Sequence, residues 1–379
     1  MIDRDLFDSY DTALNALDDL TRRAVEYMVK RYEGYPDDML QNALEANLPA
    51  TVQFFGREAA YAALDFYRKE RASLQDAGDF TPKPAEVIQE SWIHEDVAKA
   101  MEPQHKGTSD RTGLANNLAG KMMRRVRDRA DRTITLNSER DPLKPRWAIV
   151  PHAGACPWCI MYASWGFHYA SESSAKSQRH ANCKCVVVKD SDTENPVLEG
   201  YDPDGMRERL LRCGEDAGTG VDNWEASLEA ASKFYDREWL RTGAIPTVSY
   251  DSEETRKKKQ KQDDHKNEFR TTTILASRGF SCIYLDDSGG LTDLANGIEI
   301  KTLDAASTFN TFSSQISNGV KKEGLSRLVI DISENPYVSD KQAKEWIEQR
   351  ISRYPWVRAV DMIGHGRQLE VVKNPKAKT

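Results

Sequence analysis

Between residues 6 and 28, apolar side chains recur at steps of three, four and seven: Leu6, Tyr10, Leu14, Leu17, Ala24 and Met28. A helix of 3.6 residues per turn gathers such positions into one stripe, so the spacing predicts an amphipathic helix that needs a partner. A second helix is predicted over Pro49–Leu74, with Phe54, Ala59, Ala63, Phe66 and Tyr67 set among charged residues and Asp76-Ala77-Gly78 as its stop. A third runs from Ser109 to about Thr135 and carries the basic run Lys121–Arg129. Charge-rich helix faces are usually solvated, which is the expectation here; a face meeting nucleic acid or an acidic partner is the alternative.

The pattern changes at Trp147, where Trp-Ala-Ile-Val-Pro predicts a short strand leading into a loop rich in Cys, His and aromatic residues. Helical spacing returns at Asp204–Leu211 and Val221–Arg241, and Gly243-Ala244-Ile245-Pro246 breaks it. The next stretch, DSEETRKKKQKQDD from Asp251 to Asp264, has no apolar residue to bury and is expected to be a linker or an exposed lead-in.

Beyond it the pattern is compact α/β. A helix is predicted over His265–Arg278 with Gly279 at its end, then a strand at Phe280–Leu285 and a hairpin at Thr292–Leu303 turning on Asn296-Gly297. A helix at about Thr308–Lys322, a strand at Leu328–Ile332, a helix at Asp340–Arg353 and strands at Ala359–Ile363 and Leu369–Val372 complete the order αβββαβαββ. The chain is thus expected to be multidomain: helical over 1–145, a zinc-stapled α+β region with a helical tail over 146–245, a charged linker at 246–263, and an α/β domain with an αβββαβ core over 264–373.

A length of 379 residues, more than a single hydrophobic core usually serves, agrees with several domains. The net charge of −7 argues against non-specific coating of nucleic acid, though it leaves room for a local basic patch. No run is long and apolar enough for a membrane span. The acidic, amphipathic start lacks the basic and apolar segments of a signal peptide, so a cytoplasmic beginning is expected.

Four of the six cysteines, Cys156, Cys159, Cys183 and Cys185, fall within thirty residues. A Cys-x2-Cys loop followed about 20 residues later by a second pair is ligand spacing for a structural zinc ion. His180 competes for one position, so either the four cysteines or three of them with His180 close the site. With four protein ligands no position stays open for water, which makes the ion structural. His168 is expected to be a core or loop histidine. A helical region followed by Cys156, Cys159, Gly166, His180, Cys183 and Cys185 in this arrangement resembles the MuF-like minor head proteins of tailed bacteriophages. That resemblance implies a virion protein of head morphogenesis, associated with portal and capsid proteins, found at the portal vertex or inside the head and in the host cytoplasm during assembly and after infection. It also implies an unrelated enzymatic domain at the C-terminus.

In that domain the predicted topology lets Glu268, Asp293, Glu299 and Lys301 converge at one end of the sheet. Carboxylates could hold Mg²⁺ and a lysine could neutralise a phosphate in transition. The spacing D-x5-E-x-K resembles the PD-(D/E)xK nucleases, with Thr292 in place of their proline. A longer stretch, from Glu268-Phe269 through Thr292-Asp293, Asn296–Lys301 and Thr308–Ile316 to Leu328–Ile332, resembles the C-terminal tRNase domain of CdiA contact-dependent inhibition toxins. It implies a ribonuclease acting on tRNA, a possible immunity protein, and site residues Glu268, Asp293, Glu299, Lys301, Asn310, Thr311 and Gln315. Two alternatives accompany it: a DNA nuclease, and a purely structural protein with an inactive C-terminus. Metal-free cleavage through the ribose 2′-hydroxyl would instead call on His265 or His365 together with Lys301.

Overall fold

A computed structural model describes residues 2–74, 78–169, 183–218, 223–262, 264–286, 290–304 and 307–377. The chain forms two compact units, Met1–Ala155 with Cys159–Asp204, and Gly205–Thr379 with Cys156–Trp158. The first is mostly helical and the second holds the larger sheet.

Four long helices build the first unit: α1 (Arg4–Arg31), α2 (Asp37–Ala72), α3 (Glu90–His105) and α4 (Arg111–Arg140). Asp3 and Asp110 cap α1 and α4, accepting from Leu6 N at 3.0 Å and Gly113 N at 2.7 Å. Helices α1, α2 and α4 pack on one another, and α3 lies against α2 and α4. The buried stripe of α1 is Phe7, Tyr10, Leu14, Asp18, Thr21, Val25 and Val29, rotated by one position from the expected one wherever Leu6, Leu17, Ala24 and Met28 were assigned. Helix α2 begins twelve residues before Pro49, which sits buried inside it beside Leu48 and Val52. A proline costs a helix about 3 kcal/mol, and burial of the surrounding turn outweighs that here. Helix α3 was not foreseen.

The basic run of α4 is not a solvated face. Arg127 is 1% exposed and donates to Asp18 at 2.8 Å, Asn15 Oδ1 at 2.8 Å and the Lys184 carbonyl at 2.9 Å. Asp96 of α3 gathers Lys121, Arg124 and Arg125. Arg129, also buried, donates to the Ala85 and Gln53 carbonyls, so the run meets partners far away in sequence.

After α4 the chain forms an antiparallel pair, β1 (Arg146–Val150) with β2 (Val186–Asp190), in register from Arg146↔Asp190 to Val150↔Val186. Trp147 is buried against Tyr169, ring centroids 4.7 Å apart. The short helix α5 (Pro157–Ala163) lies between these strands in sequence, and His168 is exposed in the loop after it.

In the second unit, α6 (Pro203–Asp216), α7 (Trp224–Phe234) and α8 (Arg237–Thr242) precede the elements expected to form the C-terminal domain. They fall in the same compact unit as those elements. Arg327 ties them in: it pairs with Asp361 at 2.6 Å, donates to the Asp216 carbonyl at 2.6 Å, and lies over the rings of Phe234 and Phe280. The expected linker is also built in. Its β3 (Ser249–Tyr250) pairs in parallel with β4 (Ile283–Tyr284), and its α9 (Glu253–Lys259) buries Thr255 and Lys259. Charge content misled the expectation, because the buried ammonium has buried carboxylates to meet.

Helix α10 (His265–Ser277) follows and ends at Gly279, whose φ of +93° suits glycine. The main sheet has the order β5 (Ile298–Thr302), β6 (Arg327–Asp331), β7 (Ala359–Ile363) and β8 (Leu369–Lys373). Strands β5, β6 and β7 are parallel, joined through α11 (Phe309–Gly319) and α12 (Asp340–Ile351), and β8 returns antiparallel. Phe312, Ile316, Leu328, Ile330, Ile347 and Met362 form the core between these helices and the sheet. The expected hairpin is half realised: the Asn296-Gly297 turn and β5 form, while the 292–295 arm makes only the isolated bridge Tyr284↔Leu294.

Candidate functional site

Two clusters of chemistry-bearing side chains stand out, one in each unit. In the first, the Sγ atoms of Cys159, Cys183 and Cys185 lie within 4.8 Å of one another, all buried, with Cys159 and Cys183 3.6 Å apart. Zinc–sulfur bonds of about 2.3 Å in a tetrahedron hold sulfurs about 3.8 Å apart, so the trio fits such an ion. No disulfide engages these cysteines. Helix α5 supplies Cys159, and the extended lead-in to β2 supplies the other two. Cys156, just before α5, is half-buried, and His180 lies outside the described residues. A metal here would staple the loop to the β1–β2 pair.

The second cluster sits at the edge strand β5. Glu299 and Lys301 point to the same face, as alternation requires, and their charged atoms are 2.5 Å apart. Glu299 is fully buried, and Lys322 adds a second ammonium at 3.8 Å. Asp293, 2% exposed, accepts from Ile300 N at 2.8 Å, which fixes it against β5. Glu268 comes from α10 with its side chain 12% exposed. The structure therefore brings Glu268, Asp293, Glu299 and Lys301 into one electrostatic group.

Reading the chain missed a further member. Lys259, 1% exposed, stands 3.4 Å from Glu268 Oε2 and 3.3 Å from Asp293 Oδ1, and lies over the Tyr284 ring at 5.5 Å. Tyr284 bonds Thr272 at 2.6 Å and stacks on Tyr250 with centroids 5.3 Å apart. The one sequence signal for Lys259 was its spacing of four from Thr255, which places both on the buried side of α9.

Burial, and then the neighbouring Asp293, pushes the Glu268 carboxyl up to about 7. The same two causes raise Glu299 to about 6, against the pull of Lys301 and Lys322. Burial works against the charged Lys301, yet its pair with Glu299 prevails and raises it. Carboxyls poised near neutrality beside a fixed ammonium can exchange a proton at physiological pH.

The other expected participants lie apart from this group. Thr311 closes a capping box with Thr308 at the start of α11. Asn310 is exposed and Gln315 half-buried, and among the described residues no hydrogen bond joins either to the carboxylates. His265 is buried, its Nε2 3.0 Å from the Tyr250 hydroxyl, and burial lowers its pKa. His365 has both ring nitrogens engaged, Nδ1 with Asp340 at 2.5 Å and Nε2 with the Asn335 carbonyl at 2.6 Å. His265 Nδ1 is buried with no hydrogen-bond partner among the described residues, whereas both nitrogens of His365 are engaged.

The carboxylates are spaced differently from the cysteines. Among the described residues, the cysteine trio alone brings three ligand atoms within 4.8 Å, and an ammonium separates Glu268 from Asp293.

Comparison with known proteins bears on the first unit. Residues 1–213 match the family described as VG15 protein. The chain belongs to the VG15 protein family. The match spans the helical bundle and the cysteine cluster, and it points to a phage-associated protein. No curated protein and no solved structure matches the chain.

Proposed function

We propose that this VG15-family chain is a phage minor head protein of the MuF-like kind, associated with portal and capsid during head assembly, that carries a ribonuclease in its C-terminal unit with tRNA as the substrate class. The family match and the zinc-compatible cysteine trio support the first half. The Glu268–Asp293–Glu299–Lys301 group, with Asp293 and Glu299 buried, supports the second and is the observation that carries it.

In this reading Glu268 accepts the proton of a ribose 2′-hydroxyl as that oxygen attacks the adjacent phosphorus. The bond to the 5′-oxygen of the next nucleotide breaks, that oxygen takes up a proton from solvent water, and Glu268 returns its own proton to solvent. The Lys301 ammonium neutralises the charge growing on the phosphoryl oxygens, and Glu299 positions Lys301. The zinc ion would be held by Cys159, Cys183 and Cys185 with a fourth ligand from Cys156 or His180, and would supply folding energy rather than chemistry.

The test is incubation of the purified chain with total tRNA and with single- and double-stranded DNA, wild type against Lys301→Ala. Cleavage of tRNA that the substitution abolishes supports the reading. Cleavage of DNA makes the protein a DNA nuclease, since deoxyribose offers no 2′-hydroxyl, and cleavage of neither leaves a structural virion protein.

A further inference from the structure

Lys259 comes from the charged stretch before the domain that the tRNase resemblance covers, yet it is the most deeply placed cation of the site. Its ammonium lies at nearly equal distances, 3.3 and 3.4 Å, from Asp293 and Glu268. A Mg²⁺ ion bridging those two carboxylates would draw their oxygens to about 2.1 Å from itself and so occupy the volume the ammonium fills. Among the described residues each of Glu268, Asp293 and Glu299 has an ammonium within 4 Å, from Lys259, Lys301 or Lys322. Lys259 cannot easily step aside, because its side chain is 1% exposed and α9 is anchored by the pairing of β3 with β4.

We propose that Lys259 is the resident cation of this acidic site, holding Glu268 and Asp293 where related chemistries place a divalent metal, so that the site works without one. This rests on the ribonuclease reading for its purpose, though not for its test. The ammonium fixes the two carboxylates at a set separation, with Asp293 held against β5 by the Ile300 N–H. It also explains why the functional unit must include α9, so that a fragment starting at residue 264 would lack part of its own site.

The experiment is titration of the full-length, zinc-loaded chain with Mn²⁺ at pH 8, followed by the electron paramagnetic resonance signal of free Mn²⁺. Wild type, Lys259→Ala, Lys259→Met, Asp293→Asn and the double variant Lys259→Ala/Asp293→Asn are compared, with circular dichroism to confirm folding. Removing the ammonium leaves the carboxylates in excess, so Lys259→Ala is expected to bind Mn²⁺ at least tenfold more tightly than wild type, with the gain lost in the double variant. Saturable wild-type binding that Asp293→Asn abolishes would overturn the proposal, as would equal affinity in wild type and a folded Lys259→Ala. If neither Lys259 variant folds, the wild-type and Asp293→Asn titrations decide: wild-type binding no stronger than that of Asp293→Asn supports the proposal. No substrate enters the titration, so a chain that cuts no RNA would sink the functional reading and leave this result standing.

Discussion

Lys259 Nζ stands 3.3 Å from Asp293 Oδ1 across 34 residues of sequence, and this contact joins the stretch expected to be a linker to the edge strand of the sheet. The same ammonium meets Glu268, whose carboxyl burial and then Asp293 raise to about 7 from an ordinary 4.5. A folded-state pKa above the unfolded value means stability that is full below pH 4.5 and is lost as pH rises through 7. Glu268→Gln is therefore expected to flatten the fall in stability between pH 5 and pH 8, by about 1–3 kcal/mol in the urea-unfolding free energy. An unchanged pH profile in the variant would contradict the placement of Glu268.

The pair Arg127–Asp18 makes a sharper demand on the helical unit. Both side chains are buried, at 1% and 0% exposure, so Arg127→Ala strands a charge in the bundle and should cost about 3–5 kcal/mol. Lys257→Ala, on a side chain 68% exposed, should change stability by no more than about 0.5 kcal/mol. Chemical denaturation of the two variants side by side checks the contrast.

Zinc content provides a direct count. Cys159→Ser, Cys183→Ser and Cys185→Ser are each expected to lower bound zinc, measured by mass spectrometry of the metal, and to lower the melting temperature. Cys213→Ser and Cys282→Ser should keep their zinc, since those buried thiols lie in the other unit, burial pushing Cys282 up to about 12. Parallel Cys156→Ser and His180→Ala variants identify the fourth ligand.

His365 is held between Asp340 and the Asn335 carbonyl. The Asn335 carbonyl, and then Asp340, raise its pKa above 6.5. Its contribution to stability is therefore full below pH 6.5 and disappears as pH rises through the raised value. His365→Ala should lower the melting temperature at pH 6 and have little effect at pH 9, while tRNA cleavage persists. Loss of cleavage with an unchanged melting temperature would restore His365 as a catalytic candidate.

The chain showed on reading what depends on local pattern. The period of α1, the ligand spacing of Cys159, Cys183 and Cys185, the turn at Asn296-Gly297, and the shared face of Glu299 and Lys301 all arise from neighbours in sequence. What it hid depends on partners brought from afar. Arg127 looked like surface because Asp18 lies 109 residues away, and Lys259 looked like linker because Asp293 and Glu268 meet it only in the fold. Thr311 also closes a capping box with Thr308, a local role its spacing to Thr308 allowed. Helix α2 was shortened because a proline is read as a start, whereas burial carries the helix through it.

The most direct test of the central claim is single-turnover cleavage of end-labelled tRNA at pH 7 by the full-length chain, wild type against Lys301→Ala and Glu268→Gln. Rate losses of at least about a hundredfold in both variants, with folding and zinc content unchanged, are predicted from the loss of charge stabilisation and of proton transfer. Wild-type protein that leaves tRNA intact, or variants that cut it as fast as wild type, would contradict the assignment of a ribonuclease to this site.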